Sequence, residues 1–194
     1  MIHSAVEALE AGQPVVLPTD TVYGLCSSVR EDAVRRMYEL KGRSPEQPTA
    51  ILYRDVKAAL RSVPELDARV ARALLPGPFT LIAPNPEGRY PWLTGSRSET
   101  LGVRVAALPA AAAEVLRRVG PLAATSANLR GERDPRRLAD VPIEIQAGCG
   151  AVVDGGELPG VPSTILDLTG PEPRVLREGA VAGQTALALV REAQ

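Results

Sequence analysis

The chain has 194 residues, 45% of them apolar, 23% charged and only 3% aromatic, and its 22 basic and 23 acidic side chains leave a formal charge of −1. That composition describes one soluble domain with its own core and excludes a disordered or fibrous chain, while the balanced charge does not imply a broad electropositive surface for nonspecific nucleic-acid binding and leaves local clustering open. No apolar stretch reaches the roughly 18 residues of a membrane span, and Glu7 and Glu10 interrupt the only place for a leader, so no membrane association and a cytoplasmic location are expected. Cys26 and Cys149 form no CxxC pair, and with His3 as the one histidine there is no ligand set for structural zinc and no histidine-based triad.

In chain order, Ile2, Val6 and Leu9 fall at helical spacing, Gly12 stops that helix, and Pro14 to Pro18 reads as a buried strand. Glu31 to Leu40 is a second helix and Thr49 to Tyr53 a second strand; helices follow near Val56 to Arg61 and Asp67 to Leu75, then a strand over Phe79 to Ala83. A loop rich in Gly, Pro and Ser covers 84–100; Leu101 to Ala106 is a strand, Pro109 to Val119 a helix and Leu122 to Thr125 a strand. The last third predicts a helix at Ile143 to Ala147, strands at Ala151 to Val153, Ser163 to Leu168 and Arg174 to Arg177, and a final helix from Thr185 to Glu192. This alternation predicts a single α/β domain over 1–194, with a twisted, mixed, largely buried β-sheet flanked by helices.

Three polar clusters sit at element ends. Thr19-Asp20-Thr21-Val22-Tyr23 follows the first strand, where open α/β sheets bind ligands; the same residues also make an ordinary turn, with Asp20 as its cap. Lys41-Gly42-Arg43 pairs a point charge with a planar fork, as a polyphosphate requires, yet cations at a helix C-terminus also answer the helix dipole. Thr125-Ser126-Ala127-Asn128 supplies hydroxyl and amide donors for phosphate oxygens, or equally a helix cap. Neither a GxxxxGK[ST] loop nor a GxGxxG fingerprint is present, so any nucleotide is held differently.

Taken together, PTDTVYGL (18–25), KGR (41–43), PGPFTL (76–81), GVRVA (102–106), TSAN (125–128), STILDL (163–168) and LREG (176–179) resemble the YrdC-like family of threonylcarbamoyl-adenylate synthases, in its short single-domain form. The resemblance implies a YrdC-like fold and ATP-dependent synthesis of L-threonylcarbamoyl-adenylate from L-threonine and bicarbonate, with release of pyrophosphate, feeding a tRNA modification. It implies that Lys41 and Arg43 act catalytically and that ATP is held by Lys41, Arg43, Thr125, Ser126, Asn128 and Arg177, and threonine by Thr21, Tyr23, Arg104 and Ser163. ATP is then a substrate, with Mg2+ arriving on it rather than on a carboxylate cage, and the proteins of tRNA threonylcarbamoyl transfer are the partners. Arg130 stands where the family usually has serine, and no proline follows Arg104-Val105.

Two other functions stay open: a double-stranded-RNA-binding module, motivated by Arg130, Arg133, Arg136 and Arg137, and a nucleotide-binding paralogue with another substrate. Lys41 is expected to be exposed in the cavity, and Asn128 to Asp140 to be a mobile loop that closes over nucleotide.

Overall fold

The computed structural model describes residues 1–194. Helix α1 (Ile2–Glu10) buries Ala5, Val6, Ala8 and Leu9 and ends at Gly12, whose φ of +74° suits glycine. Strand β1 (Val15–Pro18) turns directly into β2 (Tyr23–Ser28), and α2 (Glu31–Lys41) follows. Strand β3 (Ala50–Leu52) leads to α3 (Val56–Ser62) and α4 (Ala68–Leu74), started by Asp55 and Asp67, whose carboxylates accept from Ala58 N (2.6 Å) and Val70 N (3.0 Å). The remaining elements are β4 (Phe79–Pro84), α5 (Pro91–Thr94), β5 (Thr100–Arg104), α6 (Ala110–Val119), β6 (Leu122–Ser126), a 3-10 turn (Leu138–Asp140), α7 (Ile143–Gly148), β7 (Ala151–Val152), β8 (Thr164–Asp167), β9 (Arg174–Arg177) and α8 (Gly183–Ala193).

All nine strands form one mixed sheet in the order β7-β1-β2-β6-β3-β5-β4-β8-β9. The pairs β1·β7, β3·β5 and β4·β8 are parallel and the others antiparallel, as short connections between some neighbours require. Three elements lie outside the sequence expectation, β2, α5 and the 3-10 turn Leu138–Asp140 within the expected loop. Strand β2 was hidden because Gly24, Cys26, Ser27 and Ser28 carry no apolar alternation; it exists because β1 and β6 pair with it on both sides. Helix α5 is a single turn inside the expected loop, with Pro91 at its start.

Side-chain alternation divides the interior into two layers. On one face Tyr23, Leu25, Ile51, Leu81 and Val103 pack against α2, α3, α4, α5, α7 and α8. The other face, with Val15, Leu17, Cys26, Leu52 and Leu122, is covered only by α1 and α6. Two helices do not span nine strands, so the half of that face around β3, β5, β4 and β8 is left without a helical cover.

Candidate active site

That uncovered half holds a cavity of about 270 Å³. Its floor is made of small residues on neighbouring strands: Gly24 stands opposite Ser126, Ala50 opposite Ala124, and Gly102 beside Ile82. A Cβ on Gly102 would lie 3.1 Å from Ala50 Cα, so a side chain there would crowd the floor. The lining carries four guanidinium groups, Arg43, Arg97, Arg104 and Arg177, against a single carboxylate, Asp134. The Nε atoms of Arg43 and Arg104 are buried and have no hydrogen-bond partner. Four guanidinium groups against one carboxylate give the lining an excess of positive charge, which suits an anion.

The Lys41-Gly42-Arg43 turn is built by helix termination. Gly42 takes φ +63°, and Arg43 N donates to Tyr38 O (2.9 Å), which closes α2 and sends Arg43 toward the cavity. The Arg43 guanidinium lies over the Tyr38 ring at 5.9 Å and donates to Pro48 O (2.7 Å), while Tyr38 OH donates to Thr49 Oγ1 (2.9 Å). Lys41 corrects the sequence expectation: it is only 5% exposed and is not part of the cavity lining. Its ammonium sits behind the wall, donating to Ser126 O, to Asn128 O (2.8 Å) and to Asn128 Oδ1 (2.8 Å). Burial, reinforced by the nearby Arg43 charge, lowers its pKa to about 8.

Lys41 thereby fixes the Ser126–Asn128 loop. Ser126 Oγ donates to Asn128 Oδ1 (2.6 Å) and Asn128 Nδ2 to Glu132 O (2.7 Å), so the amide oxygen and one of its two N–H groups are taken up inside the protein, and Thr125 and Ser126 are the members of the cluster that line the cavity.

At the other side, Thr19 Oγ1 donates to Val22 O (2.7 Å) and lies 3.0 Å from Thr21 Oγ1, so Thr19 is the residue that makes the turn. Asp20 is more than a cap: its Oδ1 accepts from Arg104 Nη2 (2.5 Å) and its Oδ2 from Ala107 N (3.2 Å). The same Nη2 donates to Thr21 Oγ1 (2.7 Å), so Asp20 and Thr21 aim Arg104, and its Nη1 is left without a hydrogen-bond partner. A backbone N–H at 107 is thus in use just beyond the point where the proline of the family pattern is missing. Ser163 Oγ is 2.9 Å from Thr80 Oγ1 and accepts from Arg177 Nη2 (3.2 Å), which also donates to Ser163 O (2.8 Å). Burial lowers the pKa of Arg177.

Tyr23 does not join this group. It points into the helix-covered layer, where its hydroxyl donates to Asp154 Oδ1 (2.8 Å) or Gly156 O (2.8 Å) and accepts from Gly155 N (2.9 Å). One residue of register separates it from Gly24 on the floor. Conversely, Arg97 and Asp134 line the cavity although no sequence pattern singles them out, and so does Thr80, which lies in the PGPFTL motif but is not among the candidate site residues.

The expected mobile loop is largely tied down. Tyr23 N donates to Pro135 O (3.0 Å), Leu158 N to Arg136 O (2.8 Å), and Asp140 Oδ2 accepts from Arg136 N and Arg137 N, while both arginines pair with Glu157. The stretch 129–134 is held more lightly, through Glu132 O, which accepts from Asn128 Nδ2 (2.7 Å), and the local turn Glu132 N to Leu129 O (3.2 Å). Hydrogen exchange measured with and without ATP is expected to slow over 129–134 and to stay unchanged over 136–140; equal slowing across both would mean that the whole loop closes.

The Sua5/YciO/YrdC family model, described as telomere recombination, matches residues 7–179. A Mycobacterium tuberculosis relative is 35% identical over 186 residues, 93% of this chain and 85% of its own length. The Pyrococcus abyssi threonylcarbamoyl-AMP synthase is 34% identical over 185 residues, 93% of this chain and 54% of the relative, so the chain spans just over half the length of that protein. The crystal structure of Pyrococcus abyssi Sua5 complexed with L-threonine superposes with a TM-score of 0.88 at 32% identity, covering 100% of this chain and 58% of that one. Escherichia coli YciO gives a TM-score of 0.78 at 28% identity over 93% of this chain and 90% of its own. With the expected motifs gathered on one sheet, and similarity that runs through nearly every element, the chain belongs to the Sua5/YciO/YrdC family.

Proposed function

We propose that the cavity is a threonylcarbamoyl-AMP synthase site, which joins L-threonine, bicarbonate and ATP into threonylcarbamoyl-adenylate and releases pyrophosphate. The observation that carries this reading is the charge of the lining, four guanidinium groups against one carboxylate, with Arg43 held by Pro48 O and Arg104 aimed by Asp20 and Thr21. A triphosphate and an amino-acid carboxylate are anionic groups that such a lining can receive.

In this reading Arg43, Thr125 and Ser126 hold the triphosphate, with Lys41 and Asn128 shaping the wall from behind and Arg177 adding charge near the nucleotide. Arg104, Thr21 and Ser163 receive threonine. The threonine amine attacks the carbon of bicarbonate and water leaves; a carbamate oxygen then attacks the α-phosphorus, and pyrophosphate carries away the negative charge. Because the charge builds on the leaving phosphates, fixed cations and donors lower the barrier without a covalent enzyme intermediate. Magnesium bound with the nucleotide supplies further positive charge on the phosphate oxygens. The cavity fits such an ion: one carboxylate among hydroxyls, with no group of three or more His, Cys, Asp or Glu, suits an ion that keeps water and phosphate ligands.

A role in tRNA modification, a cytoplasmic location and partners that consume the adenylate go with this proposal. The RNA-binding reading loses ground because Glu157 neutralises Arg136 and Arg137, which leaves Arg130 and Arg133 of the four. Mass spectrometry of a reaction containing ATP, threonine and 13C-bicarbonate is expected to show a labelled threonylcarbamoyl-adenylate that needs all three substrates. ATP turnover without threonine, or none at all, would point instead to a paralogue acting on another substrate.

A further inference from the structure

Asp134 is the one acidic residue among those lining the cavity, and it faces four guanidinium groups. A carboxylate in that company would ordinarily collapse onto an arginine, as Asp20 does onto Arg104 at 2.5 Å and Asp167 onto Arg174 at 3.0 Å. Asp134 makes no ion pair and no side-chain hydrogen bond, although it is half-buried. The next residue, Pro135, is held through its carbonyl by Tyr23 N at 3.0 Å, so Asp134 stands at the edge of the less anchored stretch, where it lines the cavity with Ser126 and Arg177 and has no ion-pair partner. That charge reaches both Lys41 and Arg177, favouring the protonated form of each against the burial that disfavours it.

An unpaired carboxylate on the wall of a polyphosphate site repels the bare nucleotide. The repulsion turns into attraction when a divalent cation lies between carboxylate and phosphate oxygens, since a hard cation accepts oxygen ligands from both. We infer that Asp134 makes this site take its nucleotide as the magnesium complex, contributing one oxygen to an ion otherwise held by phosphates and water. The inference rests on the triphosphate reading given above. It also implies an order: with one carboxylate and no acidic cluster, the protein holds the ion only together with ATP.

Calorimetric titration of ATP, in EDTA and in excess Mg2+, into the wild type and Asp134→Asn tests it. Wild-type affinity is expected to be about tenfold higher with Mg2+ than without. In Asp134→Asn, metal-free ATP should bind several-fold more tightly than it does to the wild type, and the gain from Mg2+ should shrink to about twofold or less. An unchanged gain from Mg2+ in the variant would overturn the inference while leaving the triphosphate site standing. So would a variant that loses affinity for threonine and keeps the full metal effect, because Asp134 would then be the partner of the substrate ammonium. Absence of ATP binding by the wild type in both buffers would overturn the triphosphate reading and this inference with it. A second measurement needs no variant: Mn2+ should enhance water proton relaxation with the wild type only when ATP is present, and enhancement without ATP would show a preformed metal site and overturn the proposed order.

Discussion

Lys41→Ala is expected to cut pyrophosphate release by about 10²-fold, the loss that follows when a wall holding reacting groups shifts by about an ångström. It should also lower the melting temperature by roughly 10 °C, which distinguishes it from an ordinary surface change. The ammonium serves Ser126 O, Asn128 O and Asn128 Oδ1; the last keeps the Ser126 hydroxyl as donor, while each carbonyl that loses its donor costs about 1–3 kcal/mol, partly offset because a charge no longer has to be buried. The pH dependence follows from the same burial. With a folded pKa of about 8 against an ordinary 10.5, the unfolded chain holds the extra proton between those values, so this lysine's contribution to stability rises with pH across that window. ATP affinity should move the other way and fall above pH of about 8, as the ammonium loses its charge. Lys41→Ala should abolish both trends. A variant with wild-type turnover, or with lost turnover and an unchanged melting curve, would contradict the buttress described here.

Arg104→Lys should raise the Kd for threonine at least tenfold while leaving that for ATP within about twofold, because a point charge cannot keep two aimed contacts and also present a free N–H to a carboxylate. Arg104 Nη2 is committed to Asp20 and Thr21, which leaves Nη1 as the donor for a substrate carboxylate. Calorimetry with each ligand separates the two halves of the cavity. Equal weakening of both ligands would mean that Arg104 supports the sheet and not the amino-acid end.

What could be read along the chain was whatever depends on neighbours in sequence. The apolar runs of β1, β3, β4 and β6 and the helical spacing of α1, α2 and α6 announce themselves locally, and so do the polar clusters at strand ends. Strand β2 does not, because its small and polar residues are ordered by the strands on either side. Tyr23 and Gly24 show the limit at the level of single residues, where a motif puts both in one site and the pleat sends them to opposite faces. Lys41 shows it for burial: a lysine is ordinarily exposed, and only three acceptors from a distant loop make its burial tolerable. Asp134 and Arg97 belong to stretches without a pattern of their own, and they reach the cavity only through long-range pairing.

The strand order has a consequence for how the molecule comes into being. The cavity draws on residues 19–24, 43–50, 80–104, 124–134 and 162–177, and its floor crosses the parallel pair β3·β5 and the parallel pair β4·β8, the second joining strands some eighty positions apart. Such distant pairings are entropically expensive and form late, so folding should be slow for a chain of this size and no early intermediate should contain a usable site. ATP and threonine therefore act on the finished protein alone: they slow unfolding and raise the melting temperature by mass action, but they do not hasten folding, because there is nothing for them to grip until the last strands have paired.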